Sequence, residues 1–443
     1  MPTPTPTPDL SYPPEIEVQP RGSSLDARVR VPGSKSLTNR ALVVAALAQG
    51  TSTLRGALDC EDTRVMVDSL GKLGFKVDHD VAAATIAIQG KAGAIPAREA
   101  DLFVANSGTS LRFLTAMVSV GRGVYRLDGS PRMRQRPAAD LLQALNRLGA
   151  SARSDNGTGC PPLTIEASRL DGGFVDVRGD VSSQFLSGLL MALPYAVRPT
   201  SVQVDGPLVS RPYVEMTLSV MRSFGLNPSN RRDKLFNVQP GTYSGRSYDI
   251  EPDASAASYF FAAAAILGGA VTVEGLGSAT PLQGDLAFVD VLEHMGCVVE
   301  RGETATTVRG PKPGGLRGVD VDMNAISDTV MTLAVVALFA DGITRIRDVG
   351  HIRHKETDRL AALATELRKL GADVTEQNDG LTIVPPPPGR TTPARIATYD
   401  DHRMAMAFAV AGLKANGITI ENPGCVAKTY PGFWSDLETI RAS

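Results

Sequence analysis

At 443 residues the chain can bury a large core without disulfides or metals, and at about 100–200 residues per domain it would hold roughly two to four domains. Its 45 Lys and Arg against 47 Asp and Glu give a net charge of −2, which excludes a global attraction to nucleic acid or anionic membrane. The longest apolar runs, Val330–Ala340 and Phe260–Leu267, fall short of the roughly 18 residues of a membrane span, and Cys60, Cys160, Cys297 and Cys425 form no CxxC pair. The composition thus predicts a soluble, globular, cytoplasmic protein without a zinc cluster or a disulfide scaffold.

Residues 1–14, with their PTPTPTP run, read as a disordered Pro/Thr tail, so ordered structure is expected from Glu15. Six copies of one pattern follow. Its turn-and-strand pieces are GTSTLRG from Gly50, GVYRLDG from Gly123, PTSVQVDG from Pro199, GAVTVEG from Gly269, GITRIRD from Gly342 and GITIENPG from Gly417, at intervals of 70 to 76 residues. An apolar helix precedes each: KSLTNRALVVAALA, SGTSLRFLTAMVSV, SSQFLSGLLMAL, ASAASYFFAAAAIL, SDTVMTLAVVALFA and DHRMAMAFAVAGL. Apolar residues on most faces predict buried helices, and small polar or charged residues at their starts predict N-caps. In the first five copies a second helix closes at Gly74, Gly149, Gly225, Gly296 or Gly371, glycines suited to a left-handed position after a helix. The sixth copy runs out after the helix around Trp434–Ile440, so its last strand is expected from Glu15–Gln19.

The chain therefore reads as α/β, with six βαβαββ units of mixed sheet, three to a lobe. One lobe is expected to hold residues 15–33 and 252–443, the other 34–251, with crossings near 20–33 and 247–254. Two neighbouring crossings make a hinge, and a hinge suggests closure around a ligand.

The chemistry concentrates at the helix starts, where free N–H groups and the helix dipole favour anions. Unit one carries Lys35, Ser36 and Arg40. A Walker phosphate loop is rejected because Val29 and Ser34 stand where GxxxxGK[ST] requires glycine. Unit two supplies Asn106, Gly108 and Arg112, then Arg132, Arg134 and Arg136, which repel one another unless an anion lies near. Unit three gives Ser182, Ser183, Gln184 and Ser210-Arg211-Pro212-Tyr213. Unit four, with Asp253 and Asp285, lacks cations and reads as structural. Unit five carries Asp328 and the run His351–Arg359, where Lys355 and Arg359 would share one helical face and Glu356 would project beside them. Unit six adds Asp400, Asp401, His402, Arg403 and Lys428. Cationic helix starts at homologous places in both lobes point to a highly anionic substrate.

The strings PGSKSLTNR, NSGTSLR, SPRMRQRP, SSQ, SRPY, RHKETDRL, DDHRMAMA and AKTYP, in this order from Pro32 to Pro431, closely resemble the enolpyruvylshikimate-phosphate synthase family. The resemblance runs from Glu15 to the C-terminus. It implies a two-lobed inside-out α/β architecture, no cofactor, and a monomer acting on small anionic substrates rather than nucleic acid or membrane. UDP-N-acetylglucosamine enolpyruvyl transferases share that fold and donor, but usually carry a reactive cysteine in the loop where this chain has Arg132–Arg136. A non-catalytic hinged anion-binding module is a further alternative, opposed by the acidic residues retained.

By this resemblance, the 5-hydroxyl of shikimate 3-phosphate adds to phosphoenolpyruvate and phosphate is then eliminated. Glu356 would shuttle the C3 proton, Asp328 would be the base for the hydroxyl, and Lys35 would bridge both substrates. Lys35, Asn106, Gly108, Arg132, Gln184, Arg359, Arg403 and Lys428 would hold phosphoenolpyruvate. Lys35, Ser36, Arg40, Ser182, Ser183, Gln184, Ser210, Asp328, His351 and Lys355 would hold the phosphoshikimate. His351 stands where the family usually has Asn. Phe113 follows Arg112 where Pro is frequent, near the pocket for which the herbicide glyphosate competes in the family.

Overall fold

In the computed structural model, which describes residues 12–278 and 282–442, each recurring strand lies inside its own small sheet. Most of the tail expected at 1–14 lies outside the described residues. Unit two shows the pattern: Gly123–Asp128 runs parallel to Glu99–Phe103 and antiparallel to Leu163–Ala167, which pairs in turn with Ser151–Ser154. Units three and five repeat it around Thr200–Asp205 and Thr344–Arg347. The parallel neighbour requires a crossover, and the buried first helix of the unit provides it. The second helices of units one to five end at Gly74, Gly149, Gly225, Gly296 and Gly371, with φ between +88° and +105°.

Units one, four and six borrow strands. Leu25–Val29, which precedes the first helix of unit one, pairs instead with Gly269–Glu274 of unit four. Ser247–Asp249, which precedes unit four, pairs with Gln49–Arg55 of unit one. Glu15–Val18 pairs antiparallel with Ile418–Glu421 of unit six. Units one and four thus exchange their opening strands.

The segments that follow these exchanged strands run side by side. Gly33 bridges Pro252, the Ser34 N–H donates to the Glu251 carbonyl at 2.8 Å, and the Asp253 N–H donates to the Pro32 carbonyl at 2.8 Å. Gly33 has no alternative here, since a Cβ would sit 1.9 Å from the Gly56 carbonyl oxygen.

Buried apolar side chains gather in two clusters, one drawn from Val18–Val31 and Ala254–Ile440, the other from Leu37–Ile250. At the centre of the first, the helices Ala254–Leu267, Val330–Ala337 and His402–Gly412 pack on one another. All residues from Ala254 to Ile266 are buried, so this helix has no polar face to spare. Burying a Leu or Phe contributes about 1.5–3 kcal/mol each, which is why such helices can dispense with an amphipathic stripe. The second cluster is built likewise on Lys35–Leu47, Gly108–Val118 and Ser183–Ala192.

Candidate active site

Side chains cap most of these central helices: Ser34 accepts from the Leu37 N–H, Ser107 from Ser110, Ser182 from Gln184, Asp253 from Ala256 and Asp401 from Arg403. Unit five differs. Its helix begins at Val330 after an irregular 3₁₀ segment, Asn324–Thr329, which carries Asp328 into the interior. The starts of units one, two, three, five and six converge on one cavity of about 20 Å3, lined by Lys35, Gly108, Thr109, Arg136, Gln184, Asp328, Lys355, Glu356, Arg359, His402 and Arg403. That is room for about one water, so anything larger enters only if the two clusters separate.

Asp328 is held from four sides. It accepts from Arg403 Nη2 at 2.8 Å, Arg359 Nη1 at 3.1 Å, Tyr213 Oη at 3.1 Å and Lys355 Nζ at 3.5 Å. Burial alone pushes its carboxyl up, but Arg403, Lys355, Arg359 and Lys35 together hold it well below the usual carboxylate range. Glu356 accepts from Arg359 Nη2 at 2.8 Å and lies 3.9 Å from Arg136 Nη1. Burial is again outweighed, here by Arg359, Arg136 and Lys428, and Glu356 is held as a carboxylate. Arg359 itself is oriented by Asp401, 2.8 Å from its Nε.

On the other side Lys428 Nζ donates to Asp62 at 2.6 Å and to the Asn106 carbonyl at 3.0 Å, while Lys35 Nζ lies 3.3 Å from Asp62. Burial pulls the Lys428 ammonium down, yet Asp62 and Glu356 leave it raised. Gly108 allows the close approach of two guanidiniums, since a Cβ there would meet Arg136 Nη2 at 2.3 Å and Arg112 Nη1 at 2.8 Å.

The expected phosphoshikimate side is more neutral. Arg40 is fully buried, with Nε donating to Thr217 Oγ1 at 2.7 Å and Nη2 to the Tyr213 carbonyl at 3.0 Å; burial pushes it down to about 10. Ser36 sits one turn before it and accepts from Arg40 Nη1 through its carbonyl. Phe113 lies beneath Arg40, ring centroid 5.1 Å away, rather than in the wall of the cavity. Ser210, in the left-handed region at φ 50°, places its hydroxyl 3.2 Å from both Ser327 Oγ and His351 Nε2. Burial pushes His351 down to about 3, with Lys355 adding to it, so the ring is neutral. Ser182 serves as the cap, while Ser183 is buried in the first turn behind it.

Three features depart from the sequence reading. Lys355 and Arg359 do not share a helical face: Gly350–His354 is a 3₁₀ turn, Lys355 is extended, and the helix starts at Arg359 after its Asp358 cap. Both cations nevertheless reach Asp328 from two directions. Arg132 points at main chain, its Nε and Nη2 donating to the carbonyls of Arg353, Lys355 and Glu356 at 3.0–3.2 Å, and Arg136 lines the cavity instead. Unit four contributes after all, through Asp285, which contacts Tyr213.

Asp62, Arg136, Tyr213, Asp285, Asp401 and His402 belong to the cluster without having been assigned to it. Asp62 opens the second helix of unit one, where an acid reads as ordinary dipole compensation. Its homologous placement to the arginine and lysine runs of units two and five was the available signal.

Two mixed α/β halves joined by paired crossings, with opposed helix starts lining one charged cavity, define a two-lobed enolpyruvyl transferase. The enolpyruvyl transferase NikO from Streptomyces tendae shares this fold, at a TM-score of 0.75 and 22% identity over 96% of both chains. The chain belongs to the EPSP synthase (3-phosphoshikimate 1-carboxyvinyltransferase) family, whose model matches residues 20–437. It is 49% identical over 412 residues to the 3-phosphoshikimate 1-carboxyvinyltransferase of Trichormus variabilis, covering 93% of this chain and 95% of that one. It is 46% identical to the chloroplastic enzyme of Brassica napus, over 96% of this chain and 85% of the other. An EPSP synthase structure from Acinetobacter baumannii superimposes with a TM-score of 0.78 at 27% identity, over 96% of this chain and 97% of that one.

Proposed function

We infer that the protein transfers the enolpyruvyl group of phosphoenolpyruvate to the 5-hydroxyl of shikimate 3-phosphate and releases phosphate. The observation that carries this reading is a cluster of four buried carboxylates, Asp328 and Glu356 with Asp62 and Asp401 beside them, among more cations than they can neutralise: Lys35, Arg136, Lys355, Arg359, Arg403 and Lys428. Such a surplus suits two phosphorylated substrates, each of them also a carboxylate.

The acceptor hydroxyl gives its proton to Asp328 as its oxygen bonds to C2 of phosphoenolpyruvate, and Glu356 protonates C3 to a methyl group. Removal of a methyl proton by Glu356 then restores the double bond as the C2–O bond to phosphate breaks. Glu356 must be protonated for the addition, which its cations oppose. Anionic phosphoenolpyruvate drawn to Arg136, Arg359 and Lys428 neutralises them and raises Glu356 toward the range where it can deliver a proton. In this proposal Lys35 bridges the substrates, Arg403 and Gln184 complete the donor side, and Ser36, Arg40, Ser182, Ser183, Ser210, His351 and Lys355 hold the acceptor. The residues 15–33 with 252–443 form one lobe and 34–251 the other, and the cleft opens about the paired crossings near Gly33 and Pro252. Four unpaired cysteines fit a reducing compartment, and we place the protein in the cytoplasm as a monomer. The test is phosphate release on mixing the protein with phosphoenolpyruvate and either shikimate 3-phosphate or UDP-N-acetylglucosamine. Release with the first acceptor is expected; release only with the sugar nucleotide overturns the reading.

A further inference from the structure

The Asp285 carboxyl is buried in the 3₁₀ turn Gly284–Ala287, beside the start of the helix Ala254–Leu267. Its Oδ2 accepts from Ser255 Oγ and lies 3.0 Å from Tyr213 Oη, while its Oδ1 is buried without a hydrogen-bond partner among the described residues. The same Tyr213 Oη lies 3.1 Å from Asp328 Oδ2. A phenol has one hydrogen, so it can satisfy only one of two carboxylates. If both acids were ionised, one of these contacts would set two lone pairs against each other, and Asp285 would carry a buried charge with a bare oxygen. One proton on a carboxyl removes the lone-pair clash and the buried charge, leaving at Asp285 Oδ1 a neutral carbonyl oxygen. Asp328 is the wrong place for it, because Arg403, Arg359 and Lys355 bond to that carboxylate.

We propose that Asp285 is a positioning residue for Asp328, held as a carboxylic acid whose proton goes to Tyr213 Oη and so turns the tyrosine hydrogen onto Asp328 Oδ2. This rests on the reading of Asp328 as the base for the acceptor hydroxyl. The chain runs Ser255 O–H to Asp285, Asp285 O–H to Tyr213, and Tyr213 O–H to Asp328. It holds Oδ2 together with Arg403, so that Oδ1, which faces Arg359 and Lys355, is the oxygen presented as base. The charged groups around this chain are consistent with it. Asp328 faces Asp285 across the tyrosine, Arg403 faces both from the helix His402–Gly412, and Asp253, the cap of the helix Ala254–Leu267, acts on Tyr213. Lys35, Lys355 and Arg359 approach Asp328 from the far side. Burial, with Asp328 adding to it, pushes Asp285 up to about 6 against the pull of Ser255, Arg403 and Tyr213.

Loss of the Asp285 proton leaves Tyr213 contested by two carboxylates, so kcat declines on the alkaline side of that titration. Asp285→Asn keeps a donor toward Tyr213 but cannot ionise. The variant is expected to lose that limb of the kcat–pH profile, with KM for both substrates changed less than about threefold. A profile identical to that of the unmodified enzyme overturns the proposal. Protonation is read separately by infrared spectroscopy from about pH 5 to 8. The carbonyl stretch of a buried carboxylic acid, present in the parent protein at the low end, must be missing from Asp285→Asn. If that variant does not fold, Tyr213→Phe serves: the acid loses its acceptor and its band must shift upward, and an unmoved band refutes the chain. The infrared result stands whichever acceptor supports phosphate release, so failure of the functional reading and failure of this one are distinguishable.

Discussion

Replacing Glu356 with Gln removes the proposed proton shuttle while keeping the shape and the oxygen that accepts from Arg359 Nη2 at 2.8 Å. General acid–base catalysis of this kind contributes about 10²–10⁴ in rate, so kcat should fall by that factor, about 2.7–5.5 kcal/mol of barrier. Substrate affinity should move the other way. Arg359, Arg136 and Lys428 lose the buried negative charge that neutralises them, so the KM for phosphoenolpyruvate should stay level or drop. The ligand-free protein should lose about 3 kcal/mol of stability, the low end for breaking a buried ion pair, and phosphoenolpyruvate, itself an anion, should restore it. Three measurements check this: turnover by phosphate release, incorporation of deuterium at C3 of phosphoenolpyruvate in heavy water, and denaturant unfolding with and without the donor. The decisive one is deuterium. A variant that still exchanges the C3 hydrogens at the parent rate, with kcat within about tenfold, would show that another group carries the proton.

Arg132→Ala removes a guanidinium that holds the carbonyls of Arg353, Lys355 and Glu356 from the opposite half of the molecule. At about 0.5–1.5 kcal/mol per hydrogen bond, closure should weaken about tenfold or more, seen as a larger radius of gyration in solution scattering; an unchanged radius with a raised KM for phosphoenolpyruvate alone would return Arg132 to direct donor binding. Asp62→Asn removes a carboxylate that raises Lys428, so the ammonium is lost at lower pH and the alkaline limb of kcat/KM should move down; a limb that stays in place refutes the assignment. His351 is held neutral down to about pH 3, whereas the unfolded chain takes up its proton near pH 6.5. The unfolded state therefore binds more protons between those values and stability falls as pH drops through them, a slope that His351→Asn should reduce in denaturant titrations at about pH 4.5 and 7.5.

The repeat was legible because the units mark themselves locally, with a Gly turn before the strand (Pro199 in unit three) and, in units one to five, a Gly after the second helix. Strand exchange was not. Leu25–Val29 and Ser247–Asp249 look like any opening strand, and nothing in a β-pattern says whether the sheet it joins belongs to the unit beside it or to one across the molecule. The functional starts were legible for a similar reason, since Lys35, Gly108, Gln184, Asp328 and Arg403 occupy equivalent places in their units and converge in space. Choosing among neighbours was harder. Arg132 and Arg136 flank one 3₁₀ turn, Met133–Gln135, and that turn sends one guanidinium to carbonyls and the other to the cavity. Asp62 and Asp285 escaped because acids near helix starts are common, and their burial opposite lysines or a tyrosine is a tertiary fact.

The net charge of −2 averages over two different electrostatic designs within one cleft. On the donor side every cation already has a carboxylate: Lys428 and Lys35 share Asp62, and Arg359 is divided among Glu356, Asp328 and Asp401. These acids keep like charges tolerable when the cleft is shut, and substrate anions must compete with them. The competition is useful, because each cation that turns to a substrate releases an acid from the field that keeps it ionised. Arg40 is arranged otherwise, clasped by a threonine hydroxyl and main-chain carbonyls with no carboxylate bonded to it among the described residues. Its charge awaits an anion, whereas the charges around Glu356 are exchanged for one. A proton carrier that must change state needs the second arrangement, and an anchor needs only the first.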